Sequence, residues 1–261
     1  MLSKRKNVSV IGAGVSPSAN ITLQSIEIIK KSECIVYFSD PQLVKMFDDM
    51  KVKQYISLDD LYFHGAVDDD AYQAILSRIL SLLSTYNNVV FIQQGNPRFG
   101  VSLIDMLEEA SISHGFNLDV FPAVSSFDSM IIDVKRDPLE HGTVIVDANR
   151  LLLFSYKMEP SHDYYIYHIC SVGTKKTNID NASEDNKLEL LQQKLTEIYP
   201  KNHQCSIIQT SGVGRNNAII RNIEVSSLVN NIIDISFGTS LFIPCIGRPE
   251  VHEDILSMFD L

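Results

Sequence analysis

The apolar positions change period along the chain, and that change is the first guide to its fold. Tyr72, Ile75, Leu76, Ile79, Leu80 and Leu83 recur three and four residues apart. That spacing puts them on one face of a helix, predicted from about Asp70 to Tyr86. Around it lie short, nearly unbroken apolar runs: "NVSVIGAG" from Asn7, "CIVYFS" from Cys34, "NVVFIQQ" from Asn88 and "LDVFPAV" from Leu118. They are too short for helices, and Gly, Pro or Ser closes several of them, so they read as buried strands. Helical stretches separate them: "ITLQSIEIIKKS" from Ile21, "PQLVKMFDDM" from Pro41, with Pro at a first helical turn, and the segment carrying Leu103, Ile104, Leu107 and Ala110. Strands alternating with helices at this spacing predict an α/β fold with a parallel, doubly wound sheet.

The second half has a different rhythm. "GTVIVDA" from Gly142 and "DYYIYHICS" from Asp163 read as strands, followed by a helix with Leu188, Leu191, Leu195 and Ile198 on one face. "QCSIIQT" from Gln204 and "NAIIRNI" from Asn217 flank "SGVGRN", which reads as a hairpin connection, and "TSLFIP" from Thr239 is a last strand. Tyr164, Tyr165 and Tyr167 read as structural residues of a strand, and the polar stretch "TKKTNIDNASEDN" from Thr174 as a mobile surface loop. These features predict a second, mixed α/β domain, with residues 1–124 forming the first domain and 125–261 the second.

The bulk numbers narrow the partners. The chain has 261 residues, 45% hydrophobic and 21% charged, with a formal net charge of -10. An acidic surface repels phosphate backbones on average, which argues against a nucleic-acid partner. No apolar run reaches the length of a bilayer span, so no membrane association is expected. Cys34, Cys170, Cys205 and Cys245 are far apart and form no CxxC pair, and the seven histidines show no metal-ligand spacing. These points predict reduced thiols, a cytoplasmic location and no metal.

Parallel sheets bind ligands beyond the carboxyl ends of their strands, where helix N-termini offer free N–H groups. Two glycine turns fit that position. Gly12-Ala13-Gly14 starts a GxG, but residue 17 is Pro, so the dinucleotide fingerprint is incomplete and a plain strand-ending turn stays open. The second turn, "QQGNPRFG", holds Gly95, whose missing side chain allows close approach, and Pro97, which stiffens the exit. It is either a simple strand-to-helix connection or a cradle for a small polar ligand. Ser125 and Ser126 arrive together at a helix start, where they cap the helix, reach a ligand on the neighbouring turn, or both.

Taken in order, "VSVIGAGVSPSANITLQSIEIIKKSECIVYFSD", "GNPRFG" and "FPAVSSFDSM" resemble the motifs of the tetrapyrrole methylase family across about the first 130 residues. "YISLDDLYFHGAVDDDAYQAIL" and "SFGTSLFIPCIGRPEVHEDILSMFDL" are similar to its borosin-type peptide backbone N-methyltransferase branch. The resemblance implies two α/β domains with a cofactor cleft between them and S-adenosylmethionine as methyl donor. It places Gln93, Gly95, Asn96, Pro97 and the turn through Val101 on the amino-acid and ribose parts, with Ser125 and Ser126 beside them. Ala148 and Gly238, Thr239 and Ser240 would approach the adenine. It further implies a homodimer.

Amide methylation needs the nitrogen's proton removed or its imidate-like form stabilised by donors at the oxygen. Borosin-type sequences carry tyrosines and an Arg after "DLY". Here Tyr62 and Tyr72 match, but Asp68, Asp69 and Asp70 stand where the Arg is expected. Arg98, on the cofactor turn, is the candidate substitute; a solvated loop cation is the alternative. Tyr72 also suits core packing, and His64 is either a base or an exposed loop residue. The Asp triplet is either a solvated loop end or an attractor for a basic substrate. Arg215 in "SGVGRN" belongs to a hairpin loop or touches substrate. The chain ends soon after the catalytic unit, which leads us to expect a separate peptide precursor as substrate. A corrin, porphyrin or other small-molecule acceptor, and an inactive cofactor- or partner-binding homologue, remain the alternatives.

Overall fold

The short apolar runs of the first half do form strands; those from Asn7, Cys34 and Asn88 are almost wholly buried, as their apolar sequences require, whereas the strand from Asn117 lies at the sheet edge and is partly exposed. A computed structural model describes residues 5–38, 40–62, 67–176, 181–212 and 217–259. In chain order the first half contains β1 (Asn7–Gly12), α1 (Pro17–Asn20), α2 (Leu23–Lys30), β2 (Cys34–Tyr37), α3 (Pro41–Asp49), β3 (Tyr55–Ser57) and α4 (Asp59–Tyr62). It continues with α5 (Asp68–Leu82), β4 (Asn88–Gln93), α6 (Leu103–His114), β5 (Asn117–Val120) and α7 (Ser126–Val134). The strands form one sheet in the order β3-β2-β4-β1-β5, and each neighbouring pair is parallel.

Alternate residues of each strand serve two different cores. Val8, Val10, Val36, Val89 and Phe91 pack with Ile75 and Ile79 of α5 and with Leu103, Ile104 and Leu107 of α6. Ile11, Ile35, Val90 and Ile92 pack on the other face with Ile29 of α2 and with Leu43 and Phe47 of α3. The sheet is therefore doubly wound, as the alternation of elements predicted. Each of these fully buried side chains contributes about 1.5–3 kcal/mol of transfer free energy. Helix α5 starts two residues before the predicted point. Asp68, Asp69 and Asp70 occupy its first turn, where unpaired N–H groups favour negative charge.

The second half contains β6 (Thr143–Asp147), α8 (Ala148–Leu153), β7 (Asp163–Tyr167), α9 (Leu188–Thr196), β8 (Gln204–Gln209), β9 (Ile219–Glu224), β10 (Ser240–Ile243) and α10 (Glu253–Leu256). Its sheet runs β6-β7-β10-β8-β9. β6 and β7 are parallel, whereas β10 is antiparallel to both β7 and β8, so the sheet is mixed. Tyr164 and Tyr165 are neighbours in sequence yet both buried, because β7 is an interior strand covered on both faces. Leu188, Leu191 and Leu195 of α9 lie in the core of this half, as predicted.

By their contacts the residues fall into two units. One is Met1–Val134 with Lys175–Ile179 and Thr210–Ile219; the other is Lys135–Thr174, Asp180–Gln209 and Ile220–Leu261. One expectation needs correction. Within the polar stretch from Thr174, Ala182 and Asn186 are buried. The Asn186 amide donates to the Ile169 carbonyl at 2.9 Å and accepts from the Val172 N–H at 3.1 Å. A buried polar side chain persists when both its ends are satisfied, so polarity here does not mean exposure. The centre of "SGVGRN", including Arg215, and His64 lie outside the described residues.

Candidate functional site

The order of the first sheet creates a switch point. The connection after β1 leads toward β2 on one side, and the connection after β4 leads toward β5 on the other, while β1 and β4 are neighbours. Ligands of open parallel sheets bind outside the carboxyl ends of such a pair. Both predicted glycine turns leave the sheet at this place, and they are tied to each other. Ala13 N–H donates to the Gln93 carbonyl at 2.8 Å, Gly95 N–H to the Gly14 carbonyl at 2.9 Å, and Gly14 N–H to the Gly95 carbonyl at 3.3 Å. The turn after β5 joins them: the Asn96 amide donates to the Ala123 carbonyl at 2.9 Å and accepts from the Arg98 N–H at 3.0 Å.

The glycines have separate duties in this knot. A Cβ on Gly12 would collide with the Gly95 carbonyl oxygen and the Ala123 methyl, and would come within 2.9 Å of Pro97 Cδ. Gly12 is therefore the point where three turns converge. Gly95 has φ +70, and a Cβ there would meet nothing within 4 Å. Its backbone faces open space and is left-handed, a combination that suits close approach by a ligand. Ser125 sits in a capping box at the start of α7. Its N–H and its hydroxyl both donate to Asp128 Oδ2 at 2.7 Å, and its Oγ accepts from the Asp128 N–H at 3.3 Å. The hydroxyl is thus committed to the cap, and Ser126 begins the helix.

Tyr62, at the end of α4, and Tyr72, on α5, are brought together. Their ring centroids are 5.9 Å apart, and Phe38 lies 5.3 Å from Tyr62. Both pack against the first-half core without being fully enclosed. Burial pushes the Tyr72 phenol above its ordinary value, and the Asp68 and Asp69 charges add to this. A hydrogen bond with Tyr62 pulls the other way without reversing the shift. Tyr72 thus stays protonated near neutral pH. Arg98 is half-exposed. Its Nη1 donates to Asp105 at 2.9 Å and its Nη2 pairs with Glu108, both on α6.

The register of the second sheet gathers another set of residues at one end. Asp147 ends β6, and Tyr167, its register partner, ends β7. β10 runs antiparallel to β7 with Leu241 opposite Ile166, so Gly238, Thr239 and Ser240 enter at the end where β6 and β7 leave. Thr239 is buried and its Oγ1 accepts from the Ser236 N–H at 3.0 Å, which fixes the turn. Ala148 is buried as the first residue of α8. Asp147 caps that helix by accepting from the Arg150 N–H at 2.8 Å. Its other oxygen lies 2.6 Å from Nδ1 of His168.

A family model described as tetrapyrrole (corrin/porphyrin) methylases matches residues 7–213. The chain belongs to the tetrapyrrole methylase family. A relative from Mycena rosella, named a methyltransferase/ribosomally synthesized type I borosin cyclic peptide precursor, is 24% identical over 204 residues, 78% of this chain and 50% of its own length. One of the same description from Cerrena unicolor is 25% identical, covering 71% of this chain and 44% of its own. The chain spans about half the length of these curated relatives. Among solved structures, the uroporphyrin-III-C-methyltransferase of Thermus thermophilus superposes with a TM-score of 0.64 at 14% identity, over 95% of this chain and 99% of that one. A further structure of that Thermus enzyme, complexed with S-adenosyl homocysteine, gives a TM-score of 0.60 at 12% identity, over 97% and 100%. At these identities the structures establish the fold.

Among tetrapyrrole methylases this chain thus carries a knot of main-chain turns in its first unit and a side-chain dyad in its second. Sequence reasoning singled out the turns and passed over Asp147 and His168. The one local signal was an Asp directly before a helix, the mark of an N-cap. Its pairing with a histidine 21 positions later depends on strand register.

Proposed function

We propose that this chain is an S-adenosylmethionine-dependent methyltransferase whose acceptor is a backbone amide of a ribosomal precursor peptide. The observation that carries the reading is the three-turn knot at the switch point, with the open Gly95 backbone at its surface, in a member of a methylase family. S-adenosylmethionine, when bound, supplies a methyl group already activated on a sulfonium. In this reading the main chain of Gln93–Pro97 and the turn through Val101 hold its amino-acid and ribose parts, with Ser126 beside them and the Ser125–Asp128 cap stiffening that wall. Ala148 and Gly238–Ser240 are assigned to the adenine on the family resemblance.

The peptide acceptor is supported by the borosin descriptions of the sequence relatives and by the paired tyrosines. As an amide nitrogen attacks, negative charge gathers on the amide oxygen. A neutral phenol aimed at that oxygen stabilises the charge as it forms. Tyr72, kept protonated by burial, suits this task, and Tyr62 orients it by hydrogen bonding.

Calorimetry with S-adenosylmethionine tests the donor, and no heat at millimolar ligand ends the reading. Intact-mass analysis of the Mycena rosella relative's precursor segment, offered as a separate peptide, tests the acceptor through stepwise methyl additions. Tyr62→Phe is expected to slow those additions about 100-fold and to leave donor affinity intact. An unchanged rate removes the tyrosines from the chemistry.

A further inference from the structure

Apolar side chains face solvent at two places in the second unit. The first is the stretch that leaves α8. Leu153 is 78% exposed, and Phe154 and Tyr156 are each 50% exposed. They are ordered all the same. The two rings meet edge to face at 5.8 Å, and the Arg150 guanidinium lies over the Phe154 ring at 6.0 Å. The backbone fixes this arrangement: the Phe154 N–H donates to the Arg150 carbonyl at 3.0 Å, and the Tyr156 N–H to the Phe154 carbonyl at 2.7 Å. Arg150 and Lys157, both exposed, stand on either side of the aromatic pair in sequence. An ordered aromatic patch in water, with arginine beside it, has the composition of an interface core.

The second place is the segment after β10. Every residue from Ile246 to Phe259 is exposed. Its start is fastened: the Ile246 N–H donates to the Pro160 carbonyl at 2.7 Å, and Arg248 pairs with Glu140 at 3.1 Å. Around α10 the segment carries an apolar stripe. Val251, Ile255, Met258 and Phe259 follow helical spacing, with Leu256 beside them, and Met258 is 79% exposed. Glu250, Glu253 and Asp254 add three carboxylates to the same segment.

We infer that these two surfaces meet between two copies of this chain: residues 250–259 of one copy lie on the Leu153–Tyr156 patch of the other, and the exchange is reciprocal. Charge selects the match, because an acidic segment meets a patch flanked by Arg150 and Lys157. One chain carries both halves of the contact, so the pairing is self-complementary and closes around a two-fold axis. Reciprocity buries each half twice, which brings a short segment toward the roughly 1,600 Å² of a standard interface. A membrane is the wrong partner for this stripe, since anionic lipid attracts basic segments and repels acidic ones. The pairing stands on the second unit alone and is independent of the reaction.

Sedimentation velocity of the full chain at micromolar concentration tests it, with two charge-reversed variants. One carries Arg150→Glu and Lys157→Glu; the other carries Glu250→Lys, Glu253→Lys and Asp254→Lys. Wild type is expected to sediment as a dimer, and each variant alone as a monomer. Mixed in equal amounts, the two variants should form a heterodimer. The acidic patch then receives the basic segment, and the original pairing forms at the other contact. Phe154→Ser and Phe259→Ser, which change no charge, should each weaken the wild-type dimer about tenfold or more. All the replaced side chains are exposed, so far-UV circular dichroism should be unchanged throughout. A monomeric wild type overturns the inference, and protection of residues 251–259 from hydrogen exchange in that monomer would place the segment on its own chain instead. A dimer that both reversed variants retain overturns it too, as does a mixture that stays monomeric.

Discussion

The carboxyl ends of the parallel strands in the two sheets are built from different materials. In the first unit the carboxyl end of β1, β4 and β5 is backbone fastened to backbone: glycine N–H groups and carbonyls bridge adjacent turns, and the side chain of Asn96 ties in the third. In the second unit the corresponding end presents Asp147 and His168, an acid and a base held at 2.6 Å. Main-chain knots set shape and offer donors at fixed positions, but they cannot accept a proton reversibly near neutral pH. A carboxylate–imidazole pair can.

The comparison breaks most severely at Gly12. Gly12→Val drives a branched side chain into the Gly95 carbonyl and the Ala123 methyl, and neither is a flexible end that moves aside cheaply. We expect a loss of about 3 kcal/mol in urea unfolding, together with loss of S-adenosylmethionine binding. Gly95→Ala makes the control. Its Cβ meets no protein atom within 4 Å, so only the left-handed backbone is strained, at about 1 kcal/mol. Donor affinity should nonetheless fall more than tenfold by calorimetry if the ligand lies against that backbone. Equal affinity in wild type and Gly95→Ala would show the open space to be mere solvent.

Next in size is Asn186→Ala. It strands the Val172 N–H and the Ile169 carbonyl, both on residues with no solvent exposure. Orphaning two buried groups should cost about 2 kcal/mol in the same unfolding assay, with donor affinity unchanged. This site also marks the limit of the sequence. The doubly wound sheet was legible because strands buried on both faces are apolar at nearly every position, and Val89 to Ile92, or Val8 to Ile11 with only Ser9 polar, can hardly be read otherwise. The turns at Gly12 and Gly95 were legible because a strand ending in Gly before a helix has few other uses. Asn186 was not, since polar composition alone cannot distinguish a solvated amide from one bridging two buried backbone groups. The Asp147–His168 pair was hidden for a different reason: it exists only once β6 and β7 are aligned in parallel register, and no local pattern encodes that alignment.

The smallest effect is expected at Arg98, and it bears on where the chemistry resides. The guanidinium is shared between Asp105 and Glu108 on α6, with 47% of the side chain exposed. Exposed ion pairs of this kind are worth about 0.5 kcal/mol each at most, after solvent screening. Arg98→Ala should therefore lower stability by about 0.5 kcal/mol at low salt, and by less at 1 M salt, where charges are screened over about 3 Å. If Arg98 only fastens its turn to α6, turnover stays within threefold of wild type, because the Asn96 and Gly95 bonds hold the turn without it. A drop of about 100-fold at unchanged stability would mean that the guanidinium leaves its carboxylates to meet the substrate. The first unit would then supply a charged side chain of its own, and the division between a backbone end and a side-chain end would have to be redrawn.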